Sequence, residues 1–209
     1  MGCSAIIPAY NEAKTIAPVV KTTRNHALVD EVIVVCDGCQ DQTAILAEQA
    51  GAKVIELPYN QGKGAALLVG ARAALHSVLL FLDADLIGLR DEHITNLLNP
   101  ILNGQAEMTV GIFSGGRLTT DLAQKITPSL SGQRALLRDL ITPYDELAST
   151  RYGVEVFINS LAREKGWKVL EVELFDLTHR MKEEKFGLVK GMQARMKMYW
   201  EIAKSLTGW

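Results

Sequence analysis

The chain of 209 residues reads as an α/β protein: a doubly wound, mostly parallel sheet with helices on both faces. Three observations predict this. Short apolar runs alternate with helix-forming segments through the first half, in the order strand, helix, strand, helix, strand, helix, strand. The run Leu79-Leu80-Phe81-Leu82 has no polar break, which suits a strand covered on both faces. Polar clusters follow the expected strand ends, at Ala9 to Glu12, Asp37 to Asp41, Gln61 to Gly64, Asp83 to Asp85 and Asp176 to His179. Open sheets of this kind bind ligands beyond the carboxyl ends of their strands.

Residues 3–8 form a short buried strand, and Ala9-Tyr10-Asn11-Glu12 is the loop at its end. A helix is expected over 13–25, with Pro18 near its first turns, where a missing N–H costs least. Residues 31–35 are β-branched almost throughout and form the second strand, ending in Cys36-Asp37-Gly38-Cys39-Gln40-Asp41. Asp41 is the expected N-cap of a helix over 42–50 that Gly51 stops. A third strand over 53–57 leads to the glycine loop Asn60-Gln61-Gly62-Lys63-Gly64, and an Ala/Leu-rich helix spans 65–76. The acidic strand closes the series, and each crossover should be right-handed.

The second half is less regular. A helix over 91–102 packs on the sheet, and a strand over 106–113 ends in Ser114-Gly115-Gly116-Arg117. The polar segment 130–135 leads into a short helix through Leu140. Tyr152-Gly153-Val154-Glu155 opens a helix over 156–165 that Gly166 ends. The last strand covers 168–174, the loop 176–180 follows, and a long helix runs over 188–206. No low-complexity linker or internal repeat divides the chain, so residues 1–209 are expected to form one domain.

The formal net charge of −2 argues against nucleic acid as a partner, while a phosphate pocket needs no basic protein. No apolar run is long enough to span a bilayer, and the first residues read as a strand rather than a signal peptide. Cys3, Cys36 and Cys39 are an odd set without a disulfide framework, which suits a reducing, cytoplasmic location. Cys36 and Cys39 have CxxC spacing, but a redox motif would open a helix, and one further cysteine supplies a thiolate zinc site poorly.

Asp83 and Asp85 are two residues apart, so on a continuing strand both carboxylates face one small volume. Two close anions raise each other's pKa, and a divalent cation removes that conflict. Oxygen ligands favour Mg2+ or Mn2+, bridged to substrate phosphates. The competing reading is an acidic turn.

Four motifs in order, Ile-Pro-Ala-Tyr-Asn-Glu, Val-Ile-Val-Val-Cys-Asp-Gly-Cys-Gln-Asp-Gln-Thr, Asn-Gln-Gly-Lys-Gly-Ala-Ala and Leu-Asp-Ala-Asp, cover residues 3–90. They resemble the nucleotide-sugar half of family-2-like glycosyltransferases with the GT-A fold, a Rossmann-like sheet. The segments at Pro128 to Ala135, Tyr152 to Glu155 and Asp176 to Arg180 are similar to the glucosyl-3-phosphoglycerate synthase group. Ser-Gly-x-Arg-Ala is shared with polyprenyl-phosphate glycosyltransferases, so it does not choose the acceptor. The usual pattern has two acids where this chain has Cys36-Asp37, and Ser where it has Cys39.

The resemblance implies a hexosyltransferase with a nucleotide-binding half at 1–90, an acceptor half at 91–180 and a helical tail at 181–209. Pro8, Ala9, Tyr10, Glu12 and Asp37 would hold the nucleoside of a nucleotide sugar, with UDP expected. Gly62 would let the donor approach the backbone, and Lys63 would neutralise its phosphate. Asp83 would sit near the ribose or the metal with Ala84 beside it on the donor, while Asp85 and His179 would hold Mg2+ or Mn2+. Glu155 is the leading acid on the acceptor side; its competing reading is a carboxylate at a helix N-terminus. Ser131, Gly132, Gln133 and Arg134 would meet an acceptor phosphate. Asp145-Glu146 would carry a general base in an inverting reaction.

The acceptor is either a small phosphorylated metabolite or a lipid phosphate. The absence of the Gln-x-x-Arg-Trp motif of processive synthases implies a single transfer. The basic residues of the terminal helix leave room for peripheral membrane contact, and the chain's size leaves room for a homodimer. A nucleotide-sugar-binding protein without transfer activity is the alternative. A dinucleotide oxidoreductase would need the Gly-x-Gly-x-x-Gly turn that the first loop lacks.

Overall fold

The computed structural model describes residues 1–114, 131–150 and 153–179. Strands β1 (Cys3–Ala9), β2 (Glu31–Asp37), β3 (Lys53–Leu57) and β4 (Val78–Phe81) alternate with helices α1 (Ile16–Asn25), α2 (Thr43–Gln49) and α3 (Lys63–Ala73). The second half adds β5 (Leu86–Ile87), α4 (Asp91–Leu102), β6 (Met108–Ser114), β7 (Arg134–Leu137), α5 (Val154–Lys165), β8 (Val169–Phe175) and β9 (Thr178–His179). Seven strands form one sheet in the order β3-β2-β1-β4-β7-β6-β8. The chain steps outward from β1 to β3 and then returns to β4 on the other side of β1, with all these pairs parallel. The carboxyl ends of β1 and β4 therefore flank a topological switch point, the place where open sheets of this kind bind ligands.

Alternation along the strands builds a core on each face. Ala5, Ile7, Val34 and Leu80 pack with Val19 and Val20 of α1 and Leu97 and Leu98 of α4. Ile6, Val35, Leu79 and Phe81 pack with Leu67 and Leu68 of α3 and Ile158 of α5. The unbroken apolar run at β4 is thus explained by burial on both sides. The N-cap of α2 is Gln42 rather than Asp41, which stands one residue earlier and accepts the Thr43 N–H at 3.0 Å and the Ala13 N–H at 3.2 Å.

Four features differ from the sequence reading. First, the segment leading to Leu140 is strand β7, followed by a 3₁₀ turn at Arg138–Leu140. β7 is antiparallel to both β4 and β6. Arg, Ala and Leu favour helix, but Ala135 and Leu136 are fully buried between two strands, and that packing overrides propensity. Second, α3 starts at Lys63 rather than Ala65, which puts Lys63 and Gly64 in its first turn. Third, β4 ends at Phe81, so Asp83 and Asp85 lie beyond it and strand alternation does not orient them. Fourth, β5 and β9 pair in a separate antiparallel ribbon.

Gly115, Gly116, Arg117, Pro128, Tyr152, Arg180 and the helix expected over 188–206 lie outside the described residues. Among those described, no helix is long and apolar enough to cross a membrane.

Gly62 takes φ +102, the left-handed side that glycine permits, immediately before α3. Gly64 serves a close approach of another kind. A Cβ there would lie 2.1 Å from Leu147 O and 2.7 Å from Thr150 O, both rigid backbone. Gly64→Ala is expected to lower the unfolding free energy by about 1–3 kcal/mol, read from the urea midpoint. An unchanged midpoint would show that α3 is not pressed against the 147–150 backbone.

Candidate active site

The site begins with loops at the ends of β1 and β2. Ala9 is buried and Tyr10 is exposed. Asn11 sits at φ 56, and its Oδ1 accepts the Gln40 N–H at 2.8 Å. Glu12 is buried; its N–H donates to Thr43 Oγ1 at 2.8 Å. Asp37 is buried at the end of β2, and its two oxygens accept the N–H groups of Gln61 (2.7 Å) and Gly62 (2.8 Å). A carboxylate tying down two backbone donors sets the glycine loop in place.

The loops of β4, α3, β7 and α5 then converge. Lys63 Nζ lies 2.7 Å from Asp83 Oδ1 and 2.7 Å from Glu155 Oε1. Lys63 opens α3, Asp83 follows β4, and Glu155 lies in the first turn of α5. One ammonium thus joins acids from the two halves of the chain. Gln133, fully buried, holds Asp83 twice: its Nε2 donates to Asp83 Oδ2 at 3.1 Å, and its Oε1 accepts the Asp83 N–H at 3.3 Å. Gly132 lies over the pair, where a Cβ would come 2.6 Å from both Lys63 Nζ and Asp83 Oδ2.

Beneath this layer, Arg134 is only 1% exposed. Its Nε donates to Ser131 O at 2.9 Å, and Nη1 donates to Asn159 Oδ1 at 2.6 Å. Asn159 was not singled out in the sequence. It stands four residues after Glu155 in α5, the spacing that places two side chains on one helix face. That spacing was the available signal.

The charges shape one another. Burial alone would push the Lys63 ammonium down, but the Asp83 and Glu155 carboxylates outweigh it and hold the group above the ordinary lysine range. Burial draws the Arg134 guanidinium down to about 10, with Glu155 and Asp83 opposing the fall.

Asp85 is half-buried in the turn between β4 and β5, and Ala84 is buried beside it. The ribbon pairs Leu86 with His179, so the His179 backbone lies opposite the residue that follows Asp85. A carboxylate and an imidazole from these two positions are a donor set of the kind that suits Mg2+ or Mn2+. Among the described residues, no three His, Cys, Asp or Glu side chains group as a full protein cage. Asp145 does not join the site. It is exposed and pairs with Arg72 at 2.7 Å, near the far end of α3 and about 13 Å from Lys63 along the helix axis.

Lys63→Met leaves Asp83 and Glu155 without their shared cation. In a double-mutant cycle with Glu155→Gln, a favourable coupling of about 1–3 kcal/mol is expected in unfolding free energy. The raised folded pKa fixes the pH dependence. This stabilisation is fully present below the unfolded lysine value of about 10.4 and is lost as pH climbs through the higher folded value. Zero coupling at pH 7 would mean that the ion pairs do not hold the halves together.

The model of the family described as "Glycosyl transferase family 2" matches residues 4–169. Glucosyl-3-phosphoglycerate synthase of Mycolicibacterium smegmatis is 32% identical over 189 aligned residues, covering 73% of this chain and 61% of the relative. The chain thus spans about three fifths of the length of the curated relatives it matches. Among solved structures, glucosyl-3-phosphoglycerate synthase from Mycobacterium tuberculosis in complex with Mn2+, UDP and glucosyl-3-phosphoglycerate superposes with a TM-score of 0.77 at 26% identity. It covers 99% of this chain and 79% of that one. The complex of the same enzyme with Mn2+ and UDP-glucose gives 0.75 at 26% identity, covering 98% of this chain and 78% of that one. The mixed, mostly parallel sheet is the GT-A fold of these structures, and the chain belongs to glycosyl transferase family 2.

Proposed function

We propose that this chain is a metal-dependent hexosyltransferase that moves one sugar from a UDP-sugar to a small phosphorylated acceptor of the phosphoglycerate kind. The observation that carries this is the Lys63 ammonium clasped by Asp83 and Glu155 at the switch point. Support comes from the fold shared with an enzyme solved with Mn2+, UDP and glucosyl-3-phosphoglycerate. Residues 1–90 are assigned to the donor and 91–180 to the acceptor.

On this reading the Pro8–Ala9–Tyr10 loop and Glu12 hold the nucleoside. Asp37 acts by fixing Gly62, so that the start of α3 faces the diphosphate. Lys63, kept protonated, supplies positive charge to the donor, and Asp83 accepts ribose hydroxyls. Asp85 and His179 would hold Mg2+ or Mn2+, which supplies charge to stabilise the departing nucleoside diphosphate. Glu155 accepts a hydroxyl of the transferred sugar or of the acceptor. Ser131, Gly132 and Gln133 form the acceptor side, and buried Arg134 supports them from beneath rather than meeting the acceptor phosphate itself. The free thiols suit a reducing cytoplasm.

Thermal unfolding tests the donor site. UDP with Mn2+, at about a hundred times its dissociation constant, should add roughly 2.7 kcal/mol to the folded state, and Asp85→Ala should abolish this. Stabilisation by GDP alone, or by neither nucleotide, would sink the UDP assignment. Transfer from UDP-glucose to 3-phosphoglycerate should fall at least about a hundredfold in Glu155→Gln. Full activity in that variant would remove Glu155 from the reaction.

A further inference from the structure

The end of β2 and the turn after it carry two thiols that the proposed transfer does not use. Cys36 is the next-to-last residue of the strand at 1% exposure, and Cys39 is half-buried three residues on. Both are free, Cys39 packs against the core cluster that contains Cys36, and strand register sets Cys36 beside Ala9. Cys39 Sγ also donates to Ala9 O at 3.4 Å. Cys3 stands apart at the opposite end of the sheet, where burial and Asp30 push its thiol up to about 12.

This turn ties three loops together. Asp37 accepts the Gln61 and Gly62 N–H groups, Cys39 reaches the β1 loop through Ala9 O, and the Gln40 N–H reaches Asn11 Oδ1. Gly38 sits at φ +70, and a Cβ there would lie 2.6 Å from Asn60 N and 2.6 Å from the Tyr59 carbonyl carbon. The turn therefore lies against the backbone of the glycine loop, and movement in one is felt by the other. CxxC does not open a helix here, so the pair lacks the setting of a disulfide-exchange catalyst. It has instead the setting of a sensor, with two neighbouring thiols at a loop junction.

We propose that Cys36 and Cys39 form a reversible disulfide, and that closing it loosens the glycine loop and weakens nucleotide binding. The last clause rests on the donor site proposed above; the disulfide and the loosening do not. The oxidant is a low-molecular-weight disulfide such as oxidised glutathione. The Cys39 thiolate attacks one of its sulfurs and expels one small thiolate, leaving a mixed disulfide. Cys36 gives its proton to solvent, attacks Cys39 Sγ and expels the second small thiol. Two protein thiols become one protein disulfide, and one small disulfide becomes two thiols. A dithiol reductant reverses both steps. The hydrogen bond from Cys36 outweighs the upward push of burial and brings Cys39 down to about 7, so Cys39 is the attacking sulfur. Once bonded, Cys39 has no proton to donate to Ala9 O.

The test uses the whole chain in glutathione buffers of graded redox poise, with peptide mass mapping, amide hydrogen exchange and UDP titration in the presence of Mn2+. Expected are a Cys36–Cys39 disulfide, faster exchange at Gln61 and Gly62, and a UDP dissociation constant raised about tenfold or more. Dithiothreitol should restore all three. Cys39→Ser, at a half-buried position, should keep the fold and show none of the changes. A glutathione adduct on Cys39 without the internal bond overturns the proposal, and so does a disulfide that leaves Gln61 and Gly62 exchange unchanged. If the disulfide loosens the loop but neither form binds UDP, the donor reading falls and the thiol chemistry stands.

Discussion

The position of one ammonium governs this molecule's crevice. Lys63 occupies the first turn of α3, the positive end of a helix dipole, which on its own disfavours a cation. Asp83 and Glu155 reverse that, and Glu155 gains in turn from standing at the start of α5. The two acids come from parts of the chain more than seventy residues apart and would repel without the cation between them. The end of β4, the start of α3 and the start of α5 are therefore held in register by charge as well as by the apolar layer of Leu68, Phe81 and Ile158 below.

Around that ammonium the loops are fixed mainly by side chains that reach backbone groups. Asp37 holds two amides of the glycine loop, and Gln133 holds the Asp83 amide along with its carboxylate. Gly64 and Gly132 work by lacking a side chain, since a Cβ at either would meet atoms closer than van der Waals contact allows. Preorganisation of this sort places charge before a ligand arrives, and the cost of ordering is met during folding.

The first four strands and their helices were legible because each is a local signal: an apolar run, a cap, a stop glycine. Gly51 behaves as such a signal should, while the cap falls at Gln42, one residue after Asp41. β7 was not legible, since Arg134 to Leu137 are helix formers whose strand state depends on β4 and β6, neighbours distant in sequence. Lys63, Asp83 and Glu155 were each marked as site residues, yet nothing local says that they touch. The inward turn of Arg134 is likewise a tertiary fact, because a guanidinium in a short polar segment reads as a surface anchor until its burial is seen. Asn159 could have been reached by carrying the helical period one turn on from Glu155.

The balance of charge connects this architecture to the proposed chemistry. Lys63 and Arg134 face Asp83 and Glu155, with Arg134 sealed below and held by Ser131 O and Asn159. A nucleotide sugar carries two negative charges on its diphosphate, and one divalent cation cancels them. On the proposed reading, Lys63 can turn from its carboxylates towards phosphate because Arg134 stays behind as a fixed positive charge beneath them. That gives a buried guanidinium a reason to lie one layer below an acceptor loop.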